Sequence, residues 1–164
     1  MPYDSAVAQL YELGHELART PAHKFDLAHM RVLLQPLGMP ERQFRSVLIA
    51  GTNGKGSTAA TLASILRAAG HRTGLYTSPH LVRINERIRI DAEPISDSDF
   101  TRAHDDVEAA VARLLDSGKL PWHPSFFEIL TAMAFLHFAR SRVGIAVLEV
   151  GMGGRADSEH GGVR

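Results

Sequence analysis

The chain has 164 residues, 45% of them hydrophobic and 22% charged. This is the composition of a globular domain that buries roughly 70% of its unfolded surface, which excludes disordered and fibrous proteins. Eighteen basic residues against eighteen acidic ones leave no net charge to attract nucleic acid or an anionic membrane, and the absence of cysteine excludes disulfides and cysteine-ligated metals.

The first residues lack the pattern of a targeting signal. No basic patch followed by an apolar run occurs there, and no stretch of the sequence is apolar over the length that spans a bilayer. We therefore expect a cytoplasmic protein with neither a membrane nor a nucleic-acid partner.

Two helices are predicted in the first 45 residues. Apolar residues recur at helical spacing over 5–19, where Ser5 is placed to cap the helix, and again from about residue 26 to Gly38. Between them, Thr20 and Pro21 mark a turn.

From residue 46 the pattern changes to strands that alternate with helices. A continuous apolar run at 47–50 predicts a buried parallel strand, and a glycine-rich sequence separates it from a helix that ends at Gly70. Further strands and helices are predicted, in chain order, at 73–76, 87–90, 97–116, 125–139 and 144–150. This alternation predicts an α/β fold, a mostly parallel sheet with flanking helices, in which ligands bind at the carboxyl ends of the strands.

The sequence Gly-Thr-Asn-Gly-Lys-Gly-Ser at 51–57 has the features of a phosphate-binding loop. Glycines let backbone N–H groups approach a polyanion, and the start of the following helix adds partial positive charge. Lys55 is a candidate to pair with the β and γ phosphates of a nucleotide, and the hydroxyl of Ser57 or Thr58 to ligate magnesium. The general pattern G-x-x-x-x-G-K-[ST] is not met, because Ile49 stands at its first glycine and Gly56 follows the lysine. A tight connecting turn without a ligand is the alternative.

Glu149 ends the predicted strand at 144–150 and precedes a second glycine-rich sequence. A carboxylate at the end of a buried strand, beside a phosphate loop, suits a hard cation such as magnesium. An ion-paired strand terminus without a metal is the alternative.

Four segments together resemble the folylpolyglutamate synthase and dihydrofolate synthase family, which is related to the Mur ligases. The first is the glycine loop at 51–57, and the second is Tyr-Thr-Ser-Pro-His-Leu-Val-Arg at 76–83 followed by Asn-Glu-Arg-Ile at 85–88. The third is Ser-Phe-Phe-Glu-Ile-Leu-Thr at 125–131, and the fourth is Glu-Val-Gly-Met-Gly-Gly-Arg at 149–155. Because their order and approximate spacing also agree, the resemblance covers nearly all of the chain.

The resemblance implies a P-loop NTPase-like Mur ligase central domain that uses ATP and Mg²⁺. Such an enzyme joins L-glutamate to dihydropteroate or a folate through an acyl phosphate. It implies Lys55 as the catalytic residue and ATP contacts from Thr52, Asn53, Gly54, Lys55, Gly56, Ser57 and Thr58. The implied magnesium ligands are Ser57, Ser78 and Glu149. The implied substrate contacts are Ser125, Phe126, Phe127, Glu128, Ala156, Asp157 and Ser158.

The resemblance also implies a domain division. Residues 1–45 are predicted as an amino-terminal helical segment, and residues 46–164 as an ATP-binding central domain that is incomplete and lacks the family's C-terminal domain. After Arg155 the family continues with Leu-Asp-Ala-Thr-Asn, whereas this chain has Ala-Asp-Ser-Glu-His at 156–160. We expect the isolated chain to be inactive or impaired, and an exposed sheet edge to favour self-association where the family is monomeric. A truncated product, one half of a split ligase and a fragment all fit the sequence.

Other functions and structural roles stay open at this point. A general P-loop hydrolase or kinase is one rival function, and a non-catalytic nucleotide-binding remnant is another. Phe126 and Phe127 are equally well explained as core residues, and Arg87 as part of the solvated face of a strand. The nine histidines show no metal-ligand spacing.

Overall fold

The computed structural model describes residues 1–14 and 27–149. In chain order its helices and strands are α1 (Tyr3–Glu12), α2 (Leu27–Leu34), β1 (Arg45–Ile49), α3 (Lys55–Ala68), β2 (Thr73–Tyr76), β3 (Ile88–Ile90), β4 (Glu93–Pro94), α4 (Asp97–Asp116), α5 (Phe126–Arg140) and β5 (Ile145–Glu149). Two short 3-10 turns lie at Pro40–Arg42 and Ile84–Arg87. None of the helices in these ranges combines the length and apolar character needed to cross a bilayer.

The chain forms two compact units. Of the described residues, one unit combines 1–14, 27–43 and 96–139 and is helical, and the other combines 44–95 with 140–149 and contains the sheet. The predicted division between residues 45 and 46 stays a prediction.

The helical unit is built around apolar faces of its helices. The predicted bounds of α4 are confirmed, because Ser96 caps its start by accepting the Asp99 N–H at 3.1 Å and Gly118 follows its end with a φ of 67°. The prediction that Ser5 caps α1 is wrong. The helix begins at Tyr3 after Pro2, whose φ of −67° already suits a helix start, so that Ser5 lies inside the first turn.

The sheet has five strands in the order β1-β5-β2-β3-β4. The strands β1 and β2 both pair with β5 in parallel, whereas the pairs β2–β3 and β3–β4 are antiparallel. The α/β prediction is confirmed, with a mixed sheet in place of a mostly parallel one. The eleven residues that join β2 to β3 are too few for the crossover that a parallel pair needs, so β3 turns back beside β2.

The helix α3 packs on this sheet through a small apolar core. Ala59, Leu75 and Val147 are its buried centre, with Ile49, Leu62, Ala63 and Leu66 packed around them. The prediction that β1 is a buried strand is wrong in one respect. Among the described residues β1 pairs only with β5, so it is an edge strand, and 56% of Leu48 is exposed.

Candidate functional site

Three chain segments meet at one edge of the sheet. Because β1, β5 and β2 are neighbouring parallel strands, their carboxyl ends lie side by side. The glycine loop follows β1, Glu149 is the last residue of β5, and Ser78 follows β2. Residues from three of the four sequence motifs are thereby brought together, although they are far apart in the chain.

The glycine loop leads directly into the first turn of α3. Gly54 is the residue before the helix and has a φ of 73°, a left-handed conformation that favours glycine, and no side chain caps the helix start. Lys55 is the first helical residue, and its Nζ donates to the carbonyl oxygen of Gly51 at 2.8 Å. The side chains of Thr52, Asn53, Ser57 and Thr58 are exposed. An uncapped helix start beside an exposed glycine loop is an arrangement that binds phosphate.

Glu149 lies between the glycine loop and the loop after β2. Its carboxylate is buried at 9% exposure, and Oε2 accepts the backbone N–H of Ser78 at 3.2 Å. A Cβ added at Gly56 would lie 3.7 Å from the same oxygen, so the carboxylate faces the first turn of α3 at close range.

The oxygen donors at this edge fit magnesium. The two alternatives for Glu149, a magnesium ligand and an ion-paired strand terminus, both stay predictions. A carboxylate together with serine hydroxyls is a hard-oxygen set of the kind that holds magnesium with phosphate and water. No cluster of three or more His, Asp or Glu side chains suited to a metal occurs in residues 1–14 and 27–149.

The loop after β2 is held by polar contacts. Its Ser78–Pro79 peptide is cis, and Arg87 at its far end donates from Nε to Nδ1 of His80 at 2.9 Å. The solvated role predicted for Arg87 is wrong, because this contact draws the side chain inward to 4% exposure. Glu86 accepts three backbone N–H groups of the loop, and these hydrogen bonds lower the pKa of its carboxyl group. Sequence reasoning assigned no role to Glu86.

The substrate residues predicted at the start of α5 belong to the helical unit. Ser125 donates its N–H and its hydroxyl to Oε2 of Glu128, both at 2.8 Å, and its Oγ accepts the Glu128 N–H at 3.4 Å. This is a capping box, whose Ser-x-x-Glu spacing is visible in the sequence. Phe126 is buried and stacks on Tyr11 with ring centroids 5.9 Å apart, which supports its reading as a core residue.

A partner of Glu128 was missed by sequence reasoning. Nδ1 of His29 lies 3.2 Å from Oε1 of Glu128, and each of these side chains is 5% exposed. Phe127 is half-buried. The predicted substrate residues Ala156, Asp157 and Ser158 lie outside the described residues, and the roles of all the predicted site residues stay predictions.

Comparison with known proteins finds close relatives over most of the chain, although no protein-family model matches it. Folylpolyglutamate synthase of Lacticaseibacillus casei is 41% identical over 158 residues, which are 96% of this chain and 36% of that protein. Dihydrofolate synthase/folylpolyglutamate synthase of Mycobacterium tuberculosis is 42% identical over an alignment of 167 residues, which covers 96% of this chain and 34% of that protein. The chain thus spans about a third of the length of the curated relatives it matches, their N-terminal portion.

Solved structures agree with these relatives. The folylpolyglutamate synthetase of Lactobacillus casei superposes with a TM-score of 0.83 at 39% identity, covering 93% of this chain and 37% of that one. A complex of such a synthase with AMPPCP and folate superposes with a TM-score of 0.82 at 41% identity, covering 93% of this chain and 36% of that one. The folylpolyglutamate synthase of Mycobacterium tuberculosis in complex with ADP superposes with a TM-score of 0.77 at 41% identity, covering 92% of this chain and 34% of that one.

Proposed function

We propose that this chain, which is homologous to the N-terminal portion of folylpolyglutamate and dihydrofolate synthases, is the Mg-ATP-binding part of an ATP-dependent ligase. One observation carries the proposal. The glycine loop with Lys55, the Ser78 loop and the buried carboxylate of Glu149 lie together at the carboxyl edge of parallel strands. That edge is where ligands bind in open α/β sheets.

The nucleotide is proposed to bind with its phosphates against the start of α3. The residues that would contact it are Thr52, Asn53, Gly54, Lys55, Gly56, Ser57 and Thr58. Lys55 already holds a carbonyl of the same loop at 2.8 Å, so its ammonium group is kept at the loop, where the phosphates would replace or share this contact. Its positive charge would offset the charge that develops on the transferred phosphoryl group, which makes Lys55 the proposed catalytic residue.

Ser57, Ser78 and Glu149 are the residues proposed to hold Mg²⁺. When bound with ATP, the ion would neutralise phosphate charge and polarise the γ phosphoryl group. Glu149 contributes the negative charge, and its hydrogen bond from Ser78 keeps the carboxylate turned toward the loop.

The proposed reaction has two balanced steps. A substrate carboxylate oxygen attacks the γ phosphorus, ADP leaves, and an acyl phosphate forms. The amine of L-glutamate then attacks the acyl carbon, phosphate leaves, and an amide forms with loss of a proton. The contribution of the protein to both steps is orientation and charge neutralisation.

The remaining parts of the proposal concern substrate and setting. Dihydropteroate or a folate is the proposed acceptor, in keeping with the folate in a complex of a related enzyme. Ser125, Phe126, Phe127, Glu128, Ala156, Asp157 and Ser158 are proposed to contribute to its binding. A helical segment 1–45, a central domain 46–164 and a cytoplasmic location complete the proposal.

A nucleotide-binding protein without turnover is the second candidate. It is favoured because the contacts that carry the proposal, at the glycine loop, Ser78 and Glu149, account for nucleotide and metal binding and not for glutamate binding. Half of a split ligase is a variant of this second candidate, in which a separate partner chain supplies the residues needed for turnover.

Nucleotide binding is tested by isothermal titration of Mg-ATP into the 164-residue chain and into Lys55→Ala. Lys55→Ala removes a charge-assisted contact worth about 1.5–3 kcal/mol, so we expect its affinity for Mg-ATP to be about 10- to 150-fold weaker. Lys119→Ala, which removes an exposed lysine of the helical unit, is the matched control and should bind as the unchanged chain does. Equal affinity of all three proteins would refute the proposed site.

Turnover is tested by phosphate release from Mg-ATP with dihydropteroate and L-glutamate present together or singly. Release that requires both substrates and Lys55 supports the ligase. Binding without release supports the second candidate. Size-exclusion chromatography at several concentrations tests the expected self-association, which a concentration-independent monomer would contradict.

A further inference from the structure

The tip of the loop of residues 77–87, which contains Ser78, is not held in place by burial of its apolar side chains, whereas Ile84 near the end of the loop is buried at 2% exposure. Leu81 is 93% exposed and Val82 is 83% exposed at its tip. Side chains that stay in water contribute almost no hydrophobic stabilisation. The conformation of the tip therefore depends on polar contacts.

Glu86 supplies those contacts. Its Oε2 accepts the N–H of Leu81 at 2.9 Å, and its Oε1 accepts the N–H groups of Val82 at 3.1 Å and Arg83 at 2.9 Å. Three consecutive backbone amides thus converge on one carboxylate. An ionised carboxylate suits this arrangement, because both of its oxygens accept and neither carries a proton that competes with the amide donors.

The segment that carries Glu86 is itself anchored in the sheet unit. On one side of it Asn85 is buried and donates from Nδ2 to the carbonyl oxygen of Ile95 at 2.8 Å. On the other side the Arg87 carbonyl accepts the Thr77 N–H at 3.0 Å and its guanidinium binds His80. The segment 85–87 is therefore anchored in the sheet unit, and it contacts the loop at Thr77, at His80 and at the tip residues 81–83.

The same loop presents Ser78 to Glu149, through the N–H···Oε2 hydrogen bond of 3.2 Å. We propose that Glu86 is a positioning residue for the magnesium site, because it orders the loop that brings Ser78 to the carboxylate of Glu149. This inference rests on the proposed function. Glu86 binds neither metal nor nucleotide, and it acts through the backbone of its own loop.

The test is the Mg²⁺ dependence of ATP binding, measured by titration calorimetry on the whole chain carrying Glu86→Gln. Glutamine keeps one carbonyl oxygen as an acceptor, but its NH₂ group replaces the other oxygen and is itself a donor. The three backbone N–H groups of the loop therefore no longer share one carboxylate. We expect the Mg²⁺ concentration for half-maximal ATP affinity to rise about tenfold, the lower end of the effect of residues that orient metal ligands. Affinity for ATP in the presence of a chelator should be unchanged, which a general loss of structure would not allow.

Two further variants complete the design. Glu93→Gln removes the same charge from an exposed position on β4 and should behave as the unchanged chain. Glu86→Asp keeps the carboxylate with shorter reach and should recover part of the Mg²⁺ affinity. If Glu86→Gln lowers the melting temperature below the assay temperature, Glu86→Asp carries the comparison.

Normal Mg²⁺ dependence in Glu86→Gln, on a chain that binds Mg-ATP through Lys55, would overturn this inference and leave the proposed function intact. An equal loss of ATP affinity with and without Mg²⁺ would also overturn it, because Glu86 would then act on the fold as a whole. Failure of the unchanged chain to bind Mg-ATP would remove the proposed function and this inference with it.

Discussion

Replacing Glu128 with alanine removes a buried carboxylate that joins two parts of the helical unit. One oxygen accepts the N–H and hydroxyl of Ser125, each at 2.8 Å, and the other lies 3.2 Å from Nδ1 of His29. The substitution removes the carboxylate half of the capping box of α5, while Ser125 Oγ still accepts the backbone N–H of residue 128. It also strands His29, because Nε2 of this buried ring has no hydrogen-bond partner among the described residues.

The expected loss of stability follows from these two effects. Loss of the carboxylate half of the capping box costs about 1 kcal/mol, and an unpaired buried polar group costs about 1–3 kcal/mol. Glu128→Ala is therefore expected to lower the free energy of unfolding by about 2–4 kcal/mol. For a chain of this length each kcal/mol shifts the melting temperature by roughly 2–4 °C, so the midpoint should fall by about 4–16 °C. Ser125→Ala leaves the backbone N–H bond to Glu128 in place and should cost only about 1 kcal/mol.

Thermal and urea unfolding followed by circular dichroism measure these changes. Glu12→Ala, at an exposed position near the end of α1, is the control and should shift stability by less than about 0.5 kcal/mol. A double variant with His29→Leu tests the pair itself, since residues in contact give coupling energies above about 0.5 kcal/mol. A Glu128→Ala effect no larger than that of Glu12→Ala would show that neither the cap nor the pair stabilises the unit.

Three further predictions concern single sites. His104 is fully buried, and neither ring nitrogen has a hydrogen-bond partner within the described residues, since Nδ1 lies 3.6 Å from Oδ1 of Asp105 and is too far for a hydrogen bond. His104→Leu should therefore raise the melting temperature by removing a desolvation cost of about 1–3 kcal/mol, and a lowered melting temperature would contradict this. The hydrogen bond that His123 Nε2 donates to Oε2 of Glu108 raises the pKa of His123 above its usual 6.5. The stability that this contact adds is therefore full below that pH and lost as pH rises through the folded-state pKa. Glu108→Gln should accordingly destabilise the chain at about pH 5.5 and hardly at about pH 9, and equal melting differences at both pH values would count against it. Gly54 has a φ of 73° with no atom within 4 Å of an added Cβ, so Gly54→Ala should cost about 1–2 kcal/mol from backbone strain alone, whereas Gly54→Asn should cost less in the same melting assay.

Local pattern was enough to predict most of the helices and strands. The bounds of α4 and β2 follow from apolar spacing and from flanking turn residues, because these features act within a few residues of one another. The glycine loop between β1 and α3 is equally local, and so is the capping box of Ser125 and Glu128, whose spacing is visible in the sequence. By its motifs the sequence also determined the family resemblance, which the relatives bear out.

Only the tertiary structure decided which distant residues meet. Insertion of β5 between β1 and β2 brings Glu149 to Ser78, 71 positions away, because strand order depends on packing of the whole sheet and on no short-range pattern. The contact of His29 with Glu128 spans 99 positions for the same reason. The apolar run of β1 predicted a buried strand, but β1 is an edge strand of the described sheet and its Leu48 is exposed. The exposure of a strand depends on the elements that pack beside it, and the residues of the strand alone do not specify those elements.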